Sequence, residues 1–373
     1  MTRSIPLSSP WINQDDIDAV LAVLQTSTLS IGPQVKAFER AVADRVGMKH
    51  GLAVNSGTSG LHLCLDALGI GAGDEVITSP FSFVASSNCI MYTGATPVFA
   101  DIDPDTLALD PAKLEAAITE RTRAIIPVDV FGQPCPIEEI WAIAQKHGLA
   151  VIQDSCEAIG AERNGKKVGS PEYCDAAVFA FYPNKQMTTG EGGIVVTNND
   201  EMARAIDSLR NQGRDDAGTW MNHVRLGYNY RLDEMSAALG LSQVSRLDAI
   251  LDARNNVAAM YTRRLQGVPG VKVPEVLPET TRMSWFVYVI QLADGIDKAV
   301  VMRELEARGV PSRPYFSPIH TQPLYRERFG FKEGDFPVTE EIARRTLAIP
   351  FYSMMPEDEV EYVCEQIKEV VEE

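Results

Sequence analysis

The chain is short of basic residues, histidines and paired cysteines, and each shortage removes a class of function. Lys and Arg number 34 against 51 Asp and Glu, a formal charge of −17. Such a surface repels the phosphates that a nucleic-acid-binding face must neutralise. The five His and six Cys (Cys64, Cys89, Cys135, Cys156, Cys174 and Cys364) are scattered, with no CxxC or Cys/His ligand spacing. No metal is therefore expected. The thiols read as small buried hydrophobes in a reducing compartment, the cytoplasm. No apolar run reaches the roughly 18 residues expected of a membrane span. The opening Met1-Thr2-Arg3-Ser4-Ile5-Pro6 lacks the apolar stretch of a secretory signal. There is no internal repeat and no low-complexity tract.

What is present is the composition of a globular protein of 373 residues, 45% hydrophobic and 23% charged. That length suits a large domain with a smaller one against it. Apolar residues recur at helical spacing in residues 16–24 and 35–46. β-rich runs at 52–54, 75–78, 97–100, 124–128 and 150–153 then alternate with helix-like stretches such as 60–68 and 137–147. This alternation predicts a mainly parallel sheet covered on both faces, an α/β fold. Runs at 176–181 and 193–196 bracket a Gly/Thr-rich turn and read as a hairpin-like pair in that sheet. After a long amphipathic segment at 247–265 the chain turns to Pro-punctuated connections, a strand at 285–290 and helices at 298–308, 339–347 and 357–371. The expected division is a large domain over 1–246, with an N-terminal arm, and a small α+β domain over 247–373.

Three segments carry chemistry. Asn55-Ser56-Gly57-Thr58-Ser59-Gly60 joins a strand to a helix. A helix N-terminus offers free N–H groups to a phosphate, although the same residues also serve as a plain cap. Gly57 permits close backbone approach and Thr58 adds a hydroxyl. Asp154 closes the run Val151-Ile152-Gln153 at a strand end, where open α/β sheets bind ligands; a helix cap is the alternative. Lys185 stands in Tyr182-Pro183-Asn184-Lys185-Gln186-Met187-Thr188-Thr189-Gly190, among apolar and small neighbours rather than charges. It is expected to point inward, where burial disfavours the charged amine and frees it for Schiff-base chemistry. A phosphate cradle, an acid for a ring nitrogen and a buried lysine are the parts a pyridoxal phosphate (PLP) site requires. Gly69-Ile70-Gly71-Ala72-Gly73 lacks the spacing of a dinucleotide loop and reads as a helix end and turn.

The chain resembles the DegT-type sugar aminotransferases, a branch of the fold-type I PLP enzymes, over essentially its whole length. The resemblance lies in Gly32-Pro33-x-Val35-x-x-Phe38-Glu39, Ser56-Gly57-Thr58-Ser59, Gly73-Asp74-Glu75-Val76-Ile77, residues 181–193, Gly227-Tyr228-Asn229-Tyr230-Arg231 and Pro318-Ile319-His320-x-Gln322-Pro323. It implies PLP on Lys185, a ring-nitrogen partner in Asp154, phosphate contacts at Gly57 and Thr58, and Phe83 stacked on the ring. Asn229 matches a residue that reaches the phosphate of a neighbouring subunit, which implies a homodimer with shared sites. Two positions depart from the common pattern. Ala180 replaces a phosphate-binding Ser, and Glu157 stands where Gln or His is usual near the phenolic oxygen.

On the substrate side the resemblance points to Arg313, Tyr315 and His320, with local structural roles as the alternative. Arg231 suits a nucleotide diphosphate or an interface ion pair, and Tyr182 suits substrate contact or plain packing. The implied reaction is ping-pong transamination from L-glutamate to a nucleotide-linked keto-sugar at C3 or C4, in amino-sugar and surface polysaccharide synthesis. Perosamine-type synthases, which aminate C4 of a GDP-linked sugar, are a similar branch. The alternatives are a cyclitol or aminobenzoate-type keto substrate, a PLP-dependent dehydratase (in which His replaces the lysine), and a non-enzymatic regulator.

Overall fold

Strand residues here alternate between two apolar environments, and that alternation fixes the layers. On strand β5 (Ala150–Asp154) Val151 belongs to one buried cluster and Ile152 to another. On β6 (Ala176–Ala180) Ala177 and Phe179 face the first cluster, Ala176 and Val178 the second. A strand buried on both sides needs apolar residues at consecutive positions, which explains the unbroken runs in the sequence. The other strands of this sheet are β1 (His50–Val54), β2 (Glu75–Thr78), β3 (Thr96–Phe99), β4 (Thr122–Ile126) and β7 (Gly193–Thr197). Their order is β1-β7-β6-β5-β4-β2-β3. β7 runs antiparallel to both neighbours, β1 and β6, while the pairs from β6 through to β3 are parallel.

In the computed structural model, residues 3–215 and 222–372 are described; Met1 and Thr2 of the opening stretch lie outside them. The helix Pro33–Val46 shows how local sequence builds the first layer. Pro33 sits in its first turn, and Val35, Phe38, Val42 and Val46 bury one stripe against the sheet. Gly47, at φ 79, ends it in a left-handed cap. The helix Leu247–Leu265 spans the residues expected of it. It packs with Glu357–Glu372 over a three-stranded antiparallel sheet, β8 (Val271–Lys272), β9 (Tyr288–Leu292) and β10 (Thr346–Ile349), around a separate apolar cluster. Ile5 of the N-terminal arm belongs to this second cluster, with its N–H on Gly309 O at 3.0 Å.

One strand begins later than its sequence suggests. Residues 285–287 are apolar and β-rich, yet β9 starts at Tyr288. Their backbone groups are already engaged. Ser284 N donates to Gly132 O at 3.1 Å and Phe286 N to Phe131 O at 3.3 Å. Arg254, wholly buried, donates to Trp285 O and Phe286 O, each at 2.6 Å. Burial pushes its guanidinium down to about 9, so it stays cationic at neutral pH, with carbonyl dipoles and the Phe351 ring as its partners.

This crossing tolerates no side chain at residue 132. Gly132 has φ 94, and a Cβ there would fall 1.7 Å from Ser284 O. Gly132→Ala is expected to cost at least about 2 kcal/mol, from overpacking and backbone strain together. Denaturant unfolding measures it; an unchanged midpoint would show that the crossing is slack.

Candidate active site

The ends of β1, β2, β4, β5 and β6 open on one edge of the sheet, and each contributes a wall to one cavity. Ser56, Gly57 and Thr58 follow β1, Ser82 and Phe83 follow β2, Val128 follows β4, Asp154 ends β5, and Ala180, Tyr182 and Lys185 continue from β6. Glu157, Glu191, Phe286 and Tyr315 complete much of the lining. The volume is about 430 Å³, within the range of a small-molecule site.

Asp154 is buried and fixed by two donors. Ser86 Oγ donates to its Oδ2 at 2.7 Å, and Cys156 N to its Oδ1 at 3.2 Å. Lys185 Nζ lies 3.4 Å from Glu157 Oε1 and 3.8 Å from the centroid of the Phe286 ring. Glu157 is held from behind by Phe131 N–H at 2.9 Å. Burial raises its carboxyl above the usual carboxylate range, against the opposing pull of the Lys185 amine. Beneath this wall lies Asp129, fully buried, which accepts from Cys135 N, Gln153 Nε2 and Ser155 Oγ. Burial pushes Asp129 up to about 6 even so. The Lys185 turn itself is closed by Lys185 N on Tyr182 O at 2.9 Å and Thr189 N on Phe181 O at 3.0 Å.

The donors suit PLP. Gly57 opens the helix Gly57–Ala67, whose first-turn N–H groups have no partner within the helix. A Cβ on Gly57 would press on Cys156 Sγ at 2.7 Å and Ala180 Cβ at 2.8 Å, so the cradle is closed to larger residues. Ala180 thus faces the Gly57 turn, where a Ser would add a hydroxyl. Gly57 and Thr58 could hold the phosphate, Asp154 the ring nitrogen and Lys185 the carbonyl carbon. Phe83, 61% exposed, stands at the wall with its ring accessible.

Of the substrate-side candidates, Tyr182 and Tyr315 line this cavity, whereas Arg313, His320 and Arg231 do not. His320 is fully buried instead, with Nε2 on Glu340 Oε1 at 2.9 Å and its ring against Phe336. Exposed Arg313 turns Nη1 back to Ser312 O at 2.7 Å. Arg231 donates to Asn211 Oδ1 at 3.0 Å and lines a separate cavity of about 200 Å³ with Arg210 and Lys36. Asn229 is exposed, outside the cavity of its own chain. Its neighbours Tyr228 and Tyr230 stack at 4.9 Å and pack on His62. Sequence reasoning missed Ser86 and Phe286. Ser86 has a faint signal, one turn beyond Phe83; Phe286 has none, because only the crossing at Gly132 brings it to the lysine.

A lysine and a buried carboxylate share a cavity at the strand ends of this seven-stranded sheet, an arrangement that suits a PLP-dependent enzyme. The chain belongs to the DegT/DnrJ/EryC1/StrS aminotransferase family, whose model matches residues 10–368. Its members use PLP on sugar substrates. The chain is 40% identical to the spore coat polysaccharide biosynthesis protein SpsC of Bacillus subtilis, over 98% of this chain and 97% of that one. It is 38% identical to GDP-perosamine synthase of Caulobacter vibrioides, covering 98% of each. The solved structure of DesI in the presence of its TDP-sugar product superposes with a TM-score of 0.91 at 32% identity, covering 100% of this chain and 93% of that one.

Asp154→Asn keeps the shape but removes the carboxylate that could face the ring nitrogen. Turnover is expected to fall on the order of a hundredfold or more, with the fold intact by circular dichroism. Wild-type turnover in this variant would remove Asp154 from the chemistry.

Proposed function

We propose that this chain transfers an amino group from L-glutamate to the keto carbon, C4 or C3, of a nucleotide-linked sugar, in two half-reactions that use one site in turn. The observation that carries the reading is the meeting of Lys185, Asp154 and the Gly57–Thr58 turn around one cavity. When bound, PLP supplies the electron sink that makes a carbon–hydrogen bond beside nitrogen acidic. Asp154, fixed by Ser86 and Cys156, holds the ring-nitrogen proton. The Gly57 and Thr58 N–H groups anchor the phosphate end. Lys185 Nζ carries a proton between substrate carbon and cofactor carbon, and Phe286 keeps water from it. Tyr182 and Tyr315 contact the sugar. A sugar nucleotide is favoured over a cyclitol by the GDP- and TDP-linked chemistry of two of the three relatives named above, and the product feeds surface polysaccharide synthesis.

A homodimer fits the same reading. Ile17, Leu21 and Leu24 share one face of the helix Gln14–Leu24 and are 46%, 49% and 55% exposed. We assign that face to a second copy, with Asn229 reaching the partner's phosphate site. No helix among the described residues is long and apolar enough to cross a membrane. The six cysteines are free and five of them are buried, which fits the cytoplasm.

The purified protein should take up PLP and turn yellow, bleach with L-glutamate, and regain colour with one member of a panel of 3-keto and 4-keto nucleotide sugars. Lys185→Ala should lose turnover by about a thousandfold or more. A protein that stays colourless with added PLP, or that recovers colour only with a cyclitol ketone, overturns the reading. Leu21→Glu should shift the species seen by analytical ultracentrifugation from dimer to monomer; an unchanged dimer places the interface elsewhere.

A further inference from the structure

Lys185 Nζ rests between two groups that holding the cofactor does not by itself require. Glu157 Oε1 is 3.4 Å away, and the Phe286 ring centroid is 3.8 Å away. Both are nearly dry, with exposures of 6% and 2%. The carboxylate is not free to turn aside. Phe131 N–H holds its second oxygen, and the Gln186 side-chain amide, next in sequence to the lysine, fixes the Glu157 backbone by donating to its carbonyl oxygen at 2.5 Å. That amide also donates to Ser284 O at 2.8 Å and Ser284 Oγ at 2.9 Å. Lysine turn, carboxylate and ring are therefore tied into one unit.

A lysine that carries a cofactor must also exist detached, both before the cofactor arrives and while the amino group rides on it. The detached amine then faces a dry wall, where an ammonium is costly unless a counter-charge stands beside it. Other titratable groups near Glu157 are Asp154, Cys156 and Tyr315. Asp154 is already bonded to Ser86 and Cys156. Burial pushes the Cys156 thiol and the Tyr315 hydroxyl up, which keeps both neutral. Glu157 is the carboxylate in contact with the amine.

We propose that Glu157 and Phe286 form a resting cradle for the detached Lys185, in which the carboxylate holds the amine as an ammonium and the ring face packs against it. Glu157 is in this sense a positioning residue. It sets where the amine waits and the charge it carries, and so the pH at which it accepts the cofactor. The proposal rests on the reading of Lys185 as the attachment lysine. A Gln at this position would keep the bond to Phe131 N–H but lose the charge, so the departure from the common family pattern acquires a physical effect.

The test is the rate of PLP uptake by cofactor-free full-length protein, followed across pH by the absorbance of the lysine-bound form. Attachment needs the neutral amine. Glu157→Gln removes the charge that favours the ammonium, so the midpoint of the profile should move down by about one to three pH units. On the acidic limb this variant should take up PLP faster than wild type, by about tenfold or more. Loss of a purely structural residue would slow uptake. Glu157→Asp keeps the carboxylate and should restore most of the wild-type profile. Phe286→Leu removes the ring and should move the midpoint down by a smaller amount, which keeps the test alive if the Gln variant fails to fold. A midpoint that stays put, or moves up, in Glu157→Gln overturns the proposal. If wild type itself forms no lysine-bound absorbance, the underlying assignment of Lys185 has failed instead.

Discussion

The backbone crossing at Gly132 is the contact on which the rest of the site depends. Two chain segments far apart in sequence exchange hydrogen bonds there, Ser284 N on Gly132 O and Phe286 N on Phe131 O. The first segment belongs to the loop after β4, whose Phe131 N–H fixes Glu157. The second carries Phe286 onto the lysine. A side chain at residue 132 would part them, and both neighbours of the amine would be lost together. The buried Arg254, on the helix Leu247–Leu265, also secures the second segment through Trp285 O and Phe286 O.

The site also collects charge where water is scarce, which is unfavourable unless every charge is answered. The answers differ in kind. Asp154 takes a hydroxyl and an N–H, Asp129 takes an amide, a hydroxyl and an N–H, and Glu157 takes one N–H and an amine. Glu157 has the fewest fixed donors of the three, and its remaining partner is the lysine amine itself. A carboxylate that relies on that amine is one whose surroundings change whenever the lysine is engaged elsewhere.

Much of this was legible in the sequence because it follows from local rules. The strands at 75–78 and the helices at 137–147 and 247–265 were read at their observed bounds, since apolar period and flanking turns fix them. The hairpin-like pair around Lys185 emerged as adjacent antiparallel strands. Lys185, Asp154, Gly57, Thr58, Phe83, Glu157, Tyr182 and Tyr315 do line one cavity. Legibility failed where long-range contacts decide. Nothing near His320 announces that Glu340 will take its ring nitrogen, and nothing near residues 285–287 shows that their backbone is claimed by another loop. Phe286 was invisible for the same reason, and Ser86 nearly so: each acts through a partner distant in the chain.

Lys185 rides on a hairpin whose two legs, β6 and β7, lie inside the large sheet rather than at its edge. Strands on either side restrain both legs, and the turn is stitched across by Phe181 N on Gly192 O and Thr189 N on Phe181 O. Its backbone therefore has almost no travel to offer. The freedom left to the amine is rotation about the bonds of its own side chain, as a crane arm turns on a fixed post. Every position the amine must reach during turnover has to lie on that arc, and the substrate has to be brought to it.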